Sequence, residues 1–200
     1  MTLVFGVGPW SQKRRLGRSQ LFDEDLLLSR TGGQEEGIAL VTRHGSHIGN
    51  YVAPEPTDRQ RQTYDLLRKL RGGSWVNRKP ATGVYNCFGM VFASRRTSVN
   101  DDDIEKVLRE DGFRQLNTDE KPKTGDLVFY RAESAGLLHV AVVTRIDPIL
   151  GSSNQELGIG GVWALSKWND FCGEDEHNIN NHAWGPESDP IAIEFFTDRP

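Results

Sequence analysis

The polar and apolar positions of the chain first follow the period of an α-helix, in two separate segments. In TDRQRQTYDLLRKLRGG, Tyr64, Leu67 and Leu70 share one helical face, and Thr57 or Asp58 can cap the start. In NDDDIEKVLREDGF, the same spacing follows a group of acidic residues, which favour the first turn of a helix. The pattern therefore predicts two helices.

Further along the chain the period shortens to that of a β-strand. Four runs rich in β-branched and aromatic residues have this character, at 126–131, 137–146, 161–168 and 191–196. One or two short strands are also expected in GIALVTRHGSHIGNYVA, around His44. Helices followed by a meander of strands favour an α+β domain in which the helices pack on an antiparallel sheet.

A soft boundary lies at YVAPEPTDR, where two prolines flank a glutamate. We therefore interpret residues 1–56 as an N-terminal extension and residues 57–200 as the main domain. The chain has 200 residues, of which 36% are hydrophobic, and this is sufficient for one globular core.

The charge of the chain limits its partners. A formal net charge of -4 and a pI near 5.8 give no chain-wide positive field, so we expect neither nucleic acid nor a membrane surface. No apolar run approaches the ~20 residues that span a bilayer. The start MTLVFGVGPWSQKRR carries its charges after the apolar part, the reverse of a secretory signal. The sequence predicts a cytoplasmic protein, or one exported by a dedicated secretion system.

The segment GVYNCFGMVFASRR contains one of the two cysteines of the chain. With Asn86 as the N-cap, Cys87 becomes the first helical residue. The thiol is then expected to lose its proton easily, since free backbone N–H groups at a helix start favour the thiolate. The same groups can bind the oxyanion of a substrate carbonyl. A buried structural cysteine is the alternative, and Cys172 is expected to be a bystander.

A thiol nucleophile needs a group that takes its proton, and GLLHVAVV offers His139, 52 positions after Cys87. A histidine inside an apolar strand is otherwise a core residue. The preceding run TGDLVFYR and the capped cysteine helix favour the catalytic interpretation. The sequence has no CxxC and no HxxxH pattern, so no metal site is expected.

Together, YNCFGMVFA, TGDLVFYR and LLHVAVV resemble the three blocks of the NlpC-type papain-like cysteine peptidases and amidases. The resemblance spans roughly residues 83–168, and the order and spacing of the blocks are more specific than any single block. It implies a papain-like α+β fold with N-terminal helices packed on a central antiparallel sheet. It also implies a catalytic dyad in which Cys87 is the nucleophile and His139 the general base.

Enzymes of this family orient the histidine with a third polar residue on the next strand, here GVWALSKW. Ser166 is the first candidate for this role. Lys167 is a less suitable rival, since a cation disfavours the imidazolium that forms during turnover. A second rival is His177, in GEDEHN, which is otherwise expected to be an exposed loop residue.

Four residues are expected to contact the substrate: Tyr85, Asn86, Phe88 and Trp168. Two of them depart from the family pattern. Asn86 stands where many members that act on the cell wall have an aspartate for a free amine, and Phe88 replaces a small serine. Both departures weaken the expectation of a peptidoglycan substrate, but the nucleophile and the base remain.

The sequence thus predicts a cysteine hydrolase that cleaves an amide bond without a metal or an organic cofactor. The resemblance suggests a peptidoglycan peptide as substrate. An intracellular protein or isopeptide protease and a thiol acyltransferase are the alternatives among enzymes. A catalytically inactive binding module on the same fold is the alternative of another class. The expected partners are a peptide or peptidoglycan substrate and an inhibitor or immunity protein.

Overall fold

A computed structural model describes residues 35–70, 74–148, 161–183 and 190–200. This part of the chain is a mixed α+β structure with a large antiparallel sheet and few helices. The helices are α1 (Asp58–Leu70), α2 (Cys87–Phe92) and α3 (Ile104–Glu110), with a 3₁₀ turn (Asp101–Asp103) before α3. The strands are β1 (Glu35–Glu36), β2 (Asn50–Val52), β3 (Trp75–Lys79), β4 (Ser98–Val99), β5 (Arg114–Gln115), β6 (Leu127–Ala132), β7 (Gly136–Ile146), β8 (Val162–Ser166), β9 (Glu174–Asn178) and β10 (Ile191–Thr197).

Among the described residues, the larger sheet has seven strands in the order β3-β9-β8-β7-β6-β10-β5. Every neighbouring pair in it is antiparallel. A second sheet has the order β1-β2-β4. The four strand-like runs of the sequence correspond to β6, β7, β8 and β10, so the predicted antiparallel sheet is confirmed.

Helix α1 has Thr57 as its cap. The Thr57 hydroxyl accepts from the Gln60 N–H at 3.3 Å, and the Gln60 side chain accepts from the Thr57 N–H at 2.8 Å. Tyr64 and Leu67 are buried, as the helical spacing predicts, but Leu70, the last residue of the helix, is 61% exposed. In the described part of the chain, no helix has the length and apolar character that crossing a membrane requires.

The seven-stranded sheet separates two hydrophobic clusters. Phe129 and Val140 belong to one cluster, together with the buried sides of α2 and α3, and we name this side of the sheet the α2 face. Tyr130 and Ala141 belong to the second cluster, on the opposite face. Because successive side chains of a strand point to opposite faces, these clusters show which way residues 127–130 of β6 and 139–143 of β7 point.

Strands β3 and β9 were not predicted from the sequence. In β9, Glu174, Asp175 and Glu176 are all buried. Acidic residues are depleted in strands, but here each carboxylate has a basic partner: Arg95 for Glu174, Arg68 for Asp175 and Arg78 for Glu176. The prediction that His177 is an exposed loop residue is wrong, since His177 lies in β9 and has no exposed surface.

The described segment before α1 packs on the same core. Leu40 and Ile48 belong to the cluster on the α2 face, and β2 pairs with β4. The short strands expected in this segment are β2 and a bridge between Val41 and His47. Residues 1–34 lie outside the described residues, and the predicted domain boundary stays a prediction.

Gly125 and Asp126 of the TGDLVFYR block form the turn into β6. Gly125 has a φ of 95°, which favours glycine. The Asp126 carboxylate accepts from the Lys123 N–H at 2.7 Å and from the Arg199 guanidinium at 2.6 and 2.8 Å. The ion pair between Asp126 and Arg199 therefore anchors the segment after β10 to the start of β6.

Candidate active site

Asn86 fixes the start of the helix that carries Cys87. Its Oδ1 accepts hydrogen bonds from the N–H groups of Gly89 (2.8 Å) and Val99 (3.1 Å). Its Nδ2 donates to the carbonyl oxygen of Val99 at 2.9 Å. Asn86 is therefore the N-cap of α2, as predicted, and it also ties α2 to β4. A carboxylate has no donor for the Val99 carbonyl, which gives a structural reason for asparagine at this position.

Two substitutions of Asn86 distinguish its role as a hydrogen-bond acceptor from its role as a donor. Asn86→Ala leaves the backbone groups of Val99 buried and unsatisfied, so we expect a loss of about 2–4 kcal/mol at every pH. Asn86→Asp keeps the acceptor but places an anion beside the Val99 carbonyl. Its loss of stability should therefore grow as the carboxyl group ionises above about pH 4. Urea unfolding between pH 4 and 8 measures this, and the same pH dependence in both variants would contradict it.

Cys87 is the first residue of α2, a helix that packs against β7. It is buried, with 8% of its surface exposed. Its thiol accepts a hydrogen bond from the backbone N–H of Val140, the residue that follows His139. The pairing of β8 with β7 begins at Val142, so β8 does not cover this N–H. The cysteine helix therefore meets the histidine strand at the peptide unit between His139 and Val140.

The expectation of an easily ionised thiol is wrong. Burial raises the pKa of Cys87 to about 12, and hydrogen bonds from the N–H groups of Val140 and Phe88, with the charge of Lys167, offset only part of this effect. Helix α2 has six residues, so few peptide dipoles act on the thiol. Burial likewise raises the pKa of Cys172 to about 12, and both cysteines are free thiols.

His139 lies on the opposite face of the sheet from the cysteine helix. It pairs with Tyr130 across β6 and β7, and the centroids of the two rings are 5.7 Å apart. The imidazole ring stacks on Trp168 at 4.7 Å, with an interplanar angle of 13°. The thiol of Cys87 and the imidazole of His139 therefore approach the same peptide unit from the two faces of β7.

The imidazole of His139 is held in its neutral form. Burial lowers the pKa of His139 to about 3, and the nearby His177 acts in the same direction. A neutral imidazole can accept a proton, as a general base does. The same burial makes it difficult for His139 to keep that proton while it stacks on Trp168.

Ser166 and His177 form a direct pair on the opposite face. Ser166 Oγ lies 2.9 Å from His177 Nε2, and His177 Nδ1 lies 2.8 Å from the carbonyl oxygen of Asn178. Because a carbonyl oxygen can only accept, Nδ1 carries the proton and Nε2 accepts from the serine hydroxyl. The observed hydrogen-bond partner of Ser166 is thus His177, whereas the sequence predicted that Ser166 orients His139.

Lys167 directs its side chain toward the segment that leads into α2. The residue has no exposed surface, and its Nζ donates to the backbone carbonyl oxygens of Thr82 (2.8 Å), Asp170 (3.4 Å) and Cys172. Burial lowers the pKa of Lys167 to about 8. Its burial could not be read from the sequence, since a lysine near a strand end is typically solvated.

Two predicted substrate contacts lie in the protein interior on the α2 side. Phe88 is 5% exposed and belongs to the core cluster of the α2 face. Tyr85 is 6% exposed, and its hydroxyl donates to Glu174 at 2.7 Å. Arg95, which has a φ of 66°, binds the same carboxylate at 2.5 and 3.1 Å. Tyr85 therefore belongs to a buried polar network that the sequence did not indicate.

Trp168, the third of these contacts, is the centre of a ring cluster on the opposite face. Its indole stacks on His139 and on Trp75, whose ring centroid is 4.9 Å away. His177 lies at 4.7 Å from the same indole in a tilted arrangement. Within the described ranges, no group of three or more His, Cys, Asp or Glu side chains could hold a metal ion.

Comparisons of the chain with protein-family models, with curated proteins and with solved structures find no match. A function therefore has to be inferred from the sequence blocks and from the geometry around Cys87. The relevant geometry is the contact of the cysteine helix with the histidine strand, and the buried cation beside that helix.

Proposed function

We propose that the protein is a cysteine hydrolase that cleaves an amide bond, with Cys87 as nucleophile on a papain-like domain of the NlpC type. The observation that carries the proposal is the hydrogen bond from the Val140 N–H to the Cys87 thiol. It joins the cysteine helix to the strand of His139. Strand β6, which follows the Gly-Asp turn, pairs with that strand. The three sequence blocks are therefore neighbours in space, which supports a common site.

In the proposed reaction His139 accepts the proton of Cys87, which requires a rearrangement of β7 as well as loss of the stack on Trp168, because the imidazole lies on the opposite face of the sheet. The thiolate attacks the carbonyl carbon of the amide, the C–N bond breaks, and the imidazolium gives its proton to the departing amine. A water molecule, activated by His139, then attacks the thioester, and the sulfur of Cys87 leaves. Backbone N–H groups, that of Cys87 included, stabilise the oxyanion in both steps.

The proposed substrate is a peptide amide, and the resemblance to NlpC-type enzymes favours a stem peptide of peptidoglycan. An intracellular protein or isopeptide bond requires the same chemistry, and acyl transfer to an amine or alcohol uses the same thioester. A version that acts on the cell wall would need an inhibitor or immunity protein in the producing cell.

The proposal is tested by measuring how fast the wild type and matched cysteine variants hydrolyse a panel of cell-wall peptides and isopeptides. We expect Cys87→Ala to lose about 10³-fold or more in kcat/KM, since no other group forms the thioester. His139→Ala should lose about 10²- to 10⁴-fold. Cys172→Ala replaces a second buried thiol and should stay within about threefold of the wild type. Equal activity of the two cysteine variants would contradict the proposal.

A catalytically inactive binding module is the second candidate. Two observations favour it: burial keeps the thiol of Cys87 neutral, and His139 points to the opposite face. Labelling with iodoacetamide distinguishes the two candidates. An enzyme must expose its nucleophile, so Cys87 should label much faster than Cys172, whereas a binding module should label both thiols equally slowly.

A further inference from the structure

A row of side chains on the α2 face runs from β7 to β3, an edge strand of the described sheet. Val142 of β7 packs against the cluster that contains Cys87, and it pairs with Leu165 of β8. Leu165 pairs with Glu176 of β9, which in turn pairs with Val76 of β3. Side chains at paired positions share a face of the sheet. Neighbouring strands lie ~4.8 Å apart, so the row spans about 14 Å.

The row begins beside the cysteine helix. Val140, whose N–H bonds to the Cys87 thiol, lies two residues before Val142 and points to the same face. In β9, Glu174 also points to this face and accepts a hydrogen bond from the Tyr85 hydroxyl at 2.7 Å. Tyr85 lies in the segment that leads into α2. A ligand that lies on the row is therefore close to α2.

The apolar members of the row are only partly covered by the described residues. Val142 and Leu165 are half-buried, and Val76 is 40% exposed. Trp163, two residues before Leu165, is also half-buried, and the Arg145 guanidinium lies over its ring at 4.2 Å from the centroid. The row therefore offers a ligand an aliphatic surface.

Cations lie on both sides of the row. Arg145 pairs with Trp163 on one side, and Lys79 pairs with Glu174 on the other. The side chains of Arg145 and Lys79 are 44% and 47% exposed, whereas that of Glu174 is 1% exposed. Glu174 binds two cations, since Arg95 lies at 2.5 and 3.1 Å from it and Lys79 at 3.8 Å. The carboxylate is thus buried, and the cations that bind it are nearer to solvent.

Positive charge is in excess on this surface. The charged groups in its ion pairs are four cations and three anions: Arg78, Lys79, Arg95 and Arg145, with Glu174, Glu176 and Asp147. Both glutamates are buried, so a ligand meets mainly the cations. The excess of one positive charge contrasts with the net charge of -4 of the whole chain. Charge complementarity therefore favours an anionic ligand.

A peptide fits this surface better than a nucleic acid. Single-stranded nucleic acids bind through aromatic rings on which their bases stack. The row itself is aliphatic, and Arg145 already stacks on the ring of Trp163. An extended peptide presents side chains on one side at intervals of ~7 Å, which is also the spacing of successive residues on one face of a strand.

We propose that this surface binds a peptide in which an apolar residue is flanked by acidic residues. The apolar side chain packs on Val142, Leu165 and Val76, and the carboxylates pair with Lys79 and Arg145. The inference goes beyond the proposed hydrolysis, because such binding requires neither a thiolate nor a general base.

Fluorescence anisotropy of a labelled peptide, with leucine flanked by glutamates, tests the inference. The full chain carries Cys87→Ala, which removes the proposed nucleophile and keeps the probe intact. We expect saturable binding that weakens as salt is added, because the cations are exposed. A counterpart peptide with glutamine in place of glutamate should bind about tenfold more weakly.

A pair of charge variants tests the two sides of the row. Lys79→Gln combined with Arg145→Gln removes one cation from each side, while Arg95 stays on the buried carboxylate. We expect the Kd for the glutamate peptide to rise about fivefold or more. Lys121→Gln combined with Lys123→Gln, at two exposed lysines outside this surface, is the control and should stay within about twofold.

A pair of valine variants tests the apolar row. Val76→Ser should raise the Kd about threefold, since a buried methyl contact with the peptide is lost. Val41→Ser changes another exposed valine, 57% exposed and outside the row, and should leave the Kd unchanged. Circular dichroism checks the folding of each variant. Val76→Thr keeps the β-branched shape and replaces the serine variant if that variant does not fold.

Several outcomes would overturn the inference. The absence of saturable binding is one, and equal binding of the glutamine peptide is another. An equal effect in a variant and its control also overturns it. Tighter binding of a single-stranded oligonucleotide would assign the surface to nucleic acid instead. If light scattering shows a dimer that the charge variants dissociate, the occupant is a second copy of the chain.

The failure of this inference and that of the hydrolase are distinguishable, because the anisotropy assay reads binding alone. Peptide binding that depends on the row and its cations, without amide hydrolysis by the wild type, would reject the hydrolase and keep the surface. Hydrolysis that depends on Cys87 but not on the row or its cations would keep the hydrolase and reject the surface.

Discussion

Gly89→Ala is expected to lower the free energy of unfolding by about 3 kcal/mol or more, or to prevent folding. A Cβ atom at Gly89 would lie 1.8 Å from the carbonyl oxygen of Thr97 and 2.9 Å from its carbonyl carbon. Both are backbone atoms, so no side chain can rotate away, and α2 would have to move by about 1.5 Å. Alanine gains ~1 kcal/mol of helix propensity over glycine. That gain is smaller than the free-energy cost of the clash with Thr97, so the variant is expected to be less stable than the wild type.

Gly136→Ala is the matched control for this variant. Gly136 has a φ of 72°, which strains an alanine, but a Cβ atom there would meet nothing within 4 Å. We expect this control to lose about 1–2 kcal/mol from backbone strain alone. In thermal unfolding, the loss in Gly89→Ala corresponds to about 6–12 °C in Tm. A Gly89→Ala variant as stable as the control would mean that α2 and β4 do not approach so closely.

The close approach at Gly89 also positions the candidate nucleophile. The N–H of Gly89 bonds to the Asn86 side chain, which in turn bonds the backbone of Val99 in β4. Cys87 lies between the cap and the glycine, so its backbone position follows from the contact of α2 with β4. A substitution that separates these two elements should therefore weaken the contact of the thiol with Val140 as well.

Periodic apolar patterns predicted the elements that bury one side. Tyr64 and Leu67 in α1, and Ile104 and Val107 in α3, are buried at the spacing that the sequence indicated. The strand-like runs predicted β6, β7, β8 and β10 for the same reason. In each case the pattern records which side of the element packs on the core, and this information is local to the segment.

Strand β9 could not be predicted in this way, because its stability depends on residues far away in the sequence. Asp175 binds Tyr64 at 2.6 Å and Arg68 at 3.1 Å, and both partners lie in α1. Without such partners, a buried carboxylate would be strongly unfavourable. The segment EDEHN therefore has the sequence of a loop and the structure of a strand.

In the candidate site, too, the features that depend on neighbouring residues were predicted, and those that depend on distant parts of the fold were not. The cap at Asn86 and the helical start at Cys87 are local, and both were predicted. The pKa of Cys87 depends on burial by the whole fold, and here burial outweighs the N–H groups of the helix start. Alternation along β7 predicts that His139 and Val140 point to opposite faces, but it does not indicate on which face α2 packs.

The stability of the protein is expected to fall as the pH drops from about 6.5 toward 3, and His139 is expected to contribute strongly. Burial lowers the pKa of His139 to about 3 in the folded protein, whereas an unfolded histidine has a pKa near 6.5. Between these values the unfolded chain binds a proton that the folded chain does not. The contribution of His139 is thus fully present above about pH 6.5 and is lost below it. At pH 5 the loss should be about 2 kcal/mol.

His139→Gln removes this titration and should reduce the decrease in the free energy of unfolding between pH 7 and 5 by about 2 kcal/mol, measured in urea. His44→Gln, a change at an exposed histidine, is the control and should keep the wild-type decrease. If His139→Gln loses stability as steeply as the control, the imidazole is already protonated in the folded protein. A protonated His139 would have to face an anion, as in a pair with the Cys87 thiolate. The observed stack on Trp168 would then not be the state that prevails in solution, and the active pairing of cysteine and histidine would exist without substrate.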